Sequence, residues 1–193
     1  MKFYLILAMS TITLIGTVGA QHINLGVKGG ANLYNIHNGN GTRHDSKFGF
    51  HAGLLGHIHI NKHFGLQPEV YYSNQGAKHT FANNVTYFNL NYINVPVLFQ
   101  YMVGDGLRFQ AGPQLGFLVN SESKHNDVVV DHNRKLNSLD YGITLGMSYV
   151  FKSNFGIDAR YNTSLSNIYA DSSVNSTNKG FQIGLFYLIK HKS

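Results

Sequence analysis

The residues with chemical potential are few and scattered. His57 and His59 stand two apart, so on a strand they share one face, a spacing that could chelate a metal. No third ligand of the right kind accompanies them. His125 with Ser123 and Asp127, and His132 with Asp131, could supply a nucleophile–base–carboxylate set or an Asp–His pair. A polar stretch rich in Ser, Asn and His brings such neighbours together by chance. The chain holds no cysteine, which removes disulfides, thiolate metal sites, cysteine nucleophiles and a lipoprotein anchor. The sequence therefore assigns no catalytic residue, no cofactor and no metal site. The remaining candidates are charges: Glu69, Arg108, Asp158 and Arg160 lie on one face of neighbouring elements, with both signs present. Buried charges need partners, so these four are expected to form a structural ion-pair network.

The elements that hold these residues follow a period of two. Leu139, Tyr141, Ile143, Leu145, Met147, Tyr149 and Phe151 alternate with Asp140, Gly142, Thr144, Gly146 and Ser148, Val150 being the exception. Such a face is long for a soluble sheet, whereas about 9–11 tilted residues span a bilayer. Similar alternation places strands at about 22–34, 47–60, 64–76, 87–103, 107–119, 139–151, 155–165 and 180–189. Asn61-Lys62-His63, Gly104-Asp105-Gly106 and Lys152-Ser153-Asn154 read as tight turns. Residues 35–46, 79–86, 120–137 and 166–178 read as long polar loops. Short turns at one end and long loops at the other are the asymmetry of outer-membrane barrels. The expected fold is all-β: an eight-stranded antiparallel up-and-down transmembrane barrel.

Composition agrees. Charged residues make up 12% of 193, about half the usual share, and mean hydropathy is −0.14. The net charge of +6 is spread singly, without the Lys/Arg stripe that nucleic acid requires. Residues 1–20 read as a cleavable signal peptide: Lys2, then an apolar run through Ile15, then Val18-Gly19-Ala20. Cleavage between Ala20 and Gln21 leaves 21–193 as the barrel domain.

Side-chain size assigns the faces. The apolar face carries Phe109, Phe117, Tyr141, Tyr149, Phe151, Tyr161, Phe181 and Tyr187, while the opposite face is rich in glycine. An eight-stranded interior is only just wide enough for side chains, so the rings belong in lipid and the glycines with Lys28, Glu69, Arg108, Gln110, Gln114, Asp140, Asp158, Arg160 and Gln182 in the lumen. Tyr34, Phe64, Tyr101, Phe151, Phe155 and Tyr187, near strand ends, are expected in interfacial girdles. Parity slips near Tyr92–Ile93, which predicts a bulge. Pro68, Pro96 and Pro113 fall inside strands of a barrel without free edges, so each is expected at a bulge or strand end.

The run from Leu90 to Tyr101, with Ile93-Asn94-Val95-Pro96-Val97-Leu98, resembles a strand of the PorT-like outer-membrane β-barrel family of Bacteroidota. Phe109-Gln110-Ala111-Gly112-Pro113-Gln114-Leu115-Gly116 resembles the strand that follows there. Lys28-Gly29-Gly30-Ala31-Asn32 and Leu66-Gln67-Pro68-Glu69-Val70-Tyr71-Tyr72 resemble the first and third. The resemblance covers nearly all of 21–193. It departs at the C-terminus, where Leu188-Ile189-Lys190-His191-Lys192-Ser193 overruns the usual terminal aromatic.

The expected function is a non-enzymatic envelope barrel, structural or binding through its loops. Its expected surroundings are outer-membrane lipid and lipopolysaccharide, with the barrel-assembly machinery during biogenesis, as a monomer. A narrow pore or secretion-system accessory is the second reading, and a rim-site lipid-modifying enzyme the third.

Overall fold

In the computed structural model, residues 23–38, 45–81, 84–125, 128–131, 136–170 and 175–189 are described. The signal segment, with Ala20 and Gln21, lies outside them. So do His44 and His132, and the side chains of His125, Asp127 and Asp131.

Nine strands form: β1 (Ile23–Asn38), β2 (Asp45–His59), β3 (Phe64–Phe81), β4 (Asn84–Val103), β5 (Leu107–His125), β6 (Val128–Asp131), β7 (Leu139–Val150), β8 (Phe155–Ser164) and β9 (Ser176–Ile189). Eight are staves of one closed antiparallel barrel. β1 pairs with both β2 and β9, and the β4–β5 pairing completes the ring. The ninth, β6, only extends the loop end of β5.

The register fixes the tilt. Stepping from partner to partner, Arg108–Ser148–Asp158–Gly184–Gly30–His51–Ser73–Tyr92–Leu118, the path returns to β5 ten residues further along. That shear tilts the strands by roughly 40° and leaves an interior just filled by side chains.

The three tight turns fall where expected. Asn61 closes one by accepting, at Oδ1, the backbone N–H groups of His63 and Phe64, both at 2.9 Å. Gly104 and Asn154 adopt the left-handed backbone, φ 60° and 66°, that the other two demand. At the opposite end, two of the four long loops prove to be largely strand. β3 runs to Phe81, β4 begins at Asn84, and β5 continues to His125 and pairs with β6. Beyond the apolar band polarity no longer alternates, so side-chain pattern marks the strand poorly, yet backbone pairing continues.

Two register expectations need correction. A register shift does occur where the bulge is expected, at Asn91/Tyr92, but it does not lie on β4, whose even-numbered residues from Leu90 to Gln100 are all buried. Leu90 and Tyr92 are apolar residues on the inner face. The extra residue is Val119 on β5, between the pairs Asn91↔Asn120 and Tyr92↔Leu118. Nor do the prolines sit at bulges or strand ends. Each leaves a gap in one ladder with the register kept, and retains pairing on the other side. Pro68 pairs with Val97 of β4 but not β2, Pro96 with Gln114 of β5 but not β3, and Pro113 with Ile143 of β7 but not β4. A missing N–H forfeits a bond on one flank only.

The outer surface is a continuous apolar band. Phe48, at 74% exposure, is its most open member, and Leu54, Ile183, Leu185 and Leu145 stand in it. Aromatic pairs gather at the turn end: Phe64 with Phe99 and Tyr101, Tyr149 with Phe151, and Phe155 with Tyr187. Tyr34 departs from the expected girdle. It is only 2% exposed, inside the barrel.

Candidate functional site

The lumen is the built feature of the molecule, and it is filled in layers. At its centre four charges from three strands meet. Arg160 of β8 grips Glu69 of β3 through both terminal nitrogens, each at 2.7 Å. Its Nε approaches Asp158 within 2.5 Å. Lys28 of β1 reaches Glu69 at 3.1 Å and Asp158 at 3.5 Å, and lies 4.8 Å from the ring centroid of Tyr71. All four side chains are shielded from solvent. Two cations and two anions leave the cluster neutral, the condition under which a buried network is tolerable.

Glu69, Asp158 and Arg160 are thus brought together, Lys28 joins them, and Arg108 does not. Arg108 stands two residues past Gly106, near the turn end, whereas Glu69 and Arg160 stand six past His63 and Asn154. Counting from the turns would have separated them. Lys28 was legible as a lumen-facing residue. Its membership depends on the shear, which alternation does not encode.

Amides extend the cluster. Gln67 donates to Glu69 at 2.7 Å, and Gln100 donates to Gln67 at 2.9 Å and to Gln110 at 3.0 Å. Above the charges, Tyr71 donates to Gln114 at 2.8 Å, Thr144 to Asn162 at 2.7 Å, and Asn162 to the Tyr34 hydroxyl at 2.8 Å. Higher still, Asp140 accepts from Ser164 and Ser166.

Apolar layers close both ends. Ile36, Ala77, Leu90, Tyr92 and Ile168 pack at the loop end. Leu55, Phe186 and Leu188, with Val150 against them, pack at the turn end. Val150, the exception to its strand's alternation, is therefore a lumenal plug residue. The lumen also holds rings, contrary to the size argument. Tyr34 pairs directly with Gly180 and Phe186 with Gly156. A β-carbon added at either glycine would fall 2.4 Å or less from the ring, so the ring occupies the space glycine leaves.

His57 and His59 lie at the turn end with Nε2 atoms 3.3 Å apart and rings edge-on. Among the described residues no group of three metal-ligating side chains forms.

Known proteins bear on this geometry in two ways. The family described as "Outer membrane protein beta-barrel domain" matches residues 19–170. The chain belongs to that family. Membership places it in the cell outer membrane, so the apolar band faces lipid. Within the solved structures, Neisserial surface protein A is 18% identical with a TM-score of 0.62, over 84% of this chain and 96% of that one. Ail, the attachment invasion locus protein of Yersinia pestis, is 12% identical with a TM-score of 0.54, over 87% and 99%. The same protein with the heparin analogue sucrose octasulfate gives 14% and 0.54. These likenesses show the shared fold. No curated protein matches the sequence.

Proposed function

We propose that this small outer-membrane barrel is a non-enzymatic, monomeric support whose lumen is closed and whose specificity resides in the hairpins above the membrane. The filled lumen carries the reading. A neutral buried charge cluster lies between two apolar layers, and a conducting path would need an open, polar thread through all three. What remains for contact with a partner is the outer end, where β3–β4 and β5–β6 rise past the apolar band. Lipid and lipopolysaccharide surround the wall in this reading, the assembly machinery inserts it, and nucleic acid has no part. On the quoted motifs we place the chain with the PorT-like barrels of Bacteroidota. In planar bilayers the purified protein should add no resolved ion steps to the background. Steps that vanish on heat unfolding would sink the closed-lumen reading and favour a narrow pore.

A further inference from the structure

The corner around Arg108 obeys different rules from the central cluster. Arg108 as a whole is 8% exposed, and none of the ion pairs among the described residues includes it. Its Nη1 has no hydrogen-bond partner. Ser148, 4% exposed, is its direct cross-strand partner on β7, and its hydroxyl is likewise unpartnered. Gln110, 3% exposed, follows Arg108 by two on the same strand and hence on the same face. Its Nε2 is the third unpartnered group.

That Gln110 presents a donor there is a matter of chemistry, not of a chosen amide flip. Glu69, ionised between Lys28 and Arg160, only accepts, so Gln67 must turn its NH₂ to it. The Gln67 oxygen then faces Gln100, whose NH₂ serves both Gln67 and the oxygen of Gln110. One carboxylate orients three amides in series, and the last is left with its NH₂ unused. The nearest carboxylate along the ladder, Asp158 opposite Ser148, already holds Lys28 and Arg160. The corner therefore combines one positive charge in no ion pair with three unpartnered donors, beside one unpartnered amide oxygen, Gln100 Oε1, on the ladder partner of Gln110. Leaving a buried charge unpaired is strongly destabilising.

We propose that Arg108, Gln110 and Ser148 form a binding site for one small inorganic anion of halide size. One negative charge balances Arg108. The narrow interior of an eight-stranded barrel excludes larger anions. The site acts independently of the closed-lumen reading and concerns the stability of the wall.

The full-length mature barrel in detergent tests it. Heat unfolding in chloride should have a midpoint several degrees above that in gluconate at equal ionic strength. Crystals grown in bromide should show an anomalous peak against Arg108 Nη1, Gln110 Nε2 and Ser148 Oγ. Ser148→Ala should fold and raise the chloride concentration at half-effect several-fold. Gln110→Glu keeps the oxygen that Gln100 needs and supplies an internal negative charge, so it should abolish both the chloride effect and the bromide peak. Water alone at the corner, equal midpoints in the two salts, or an unchanged chloride response in Gln110→Glu would each overturn the site.

Discussion

The two faces of β8 live in different solvents one residue apart. Outward stand Phe155, Ile157, Ala159 and Tyr161, and inward stand Gly156, Asp158, Arg160 and Asn162, with burial alternating strictly along the strand's first half. The outward face asks only that side chains be apolar, since lipid adapts to their shape. The inward face is a jigsaw of fixed charges, amides and rings. A charge is therefore intolerable on one face and indispensable on the other, and added volume is free on one and costly on the other.

Substitutions on this one strand break the contrast at different strengths. Arg160→Met should cost the most, about 3–5 kcal/mol, because Glu69 and Asp158 would then share Lys28 alone. Reversible urea unfolding into lipid vesicles measures it, and a loss under 1 kcal/mol would mean that the cluster contributes little. Ala159→Arg, outward at mid-strand, should cost about 2–4 kcal/mol by the same assay. Gly156→Val should cost about 1–3 kcal/mol, since the new β-carbon would sit 2.2 Å from the Phe186 ring. Ala159→Val adds two methyl groups to the lipid side of the same strand and should stay within about 0.5 kcal/mol of wild type. Equal effects of the two valines would remove the distinction between the faces.

The same contrast explains what was legible in the sequence. A wall that needs only alternation announces itself, so the strands and the lipid face could be read from Phe, Leu, Ile and Gly at period two, and the tight turns from the short polar runs between them. The lumen depends on which residues meet across a tilted cylinder, and that is set by the shear. Hence the sequence groups Glu69, Asp158 and Arg160 with Arg108 in place of Lys28. Tyr34 is expected at the interface because it stands near a strand end. The signal it needed was Gly180, directly opposite in the ladder. Leu90 and Tyr92 looked like a slip of register because an apolar lumenal layer breaks the rule that inward means polar.

The proline gaps are also unevenly placed around the wall. All three fall between β2 and β5, and each lies one strand over from the last, while the ladders joining β5, β7, β8, β9, β1 and β2 run without interruption. The backbone interruptions thus fall on one arc of the ring, and that arc compensates in length: the β3–β4 and β4–β5 ladders, each broken at a proline, carry more residue pairs than the unbroken β7–β8 and β8–β9 ladders across the barrel.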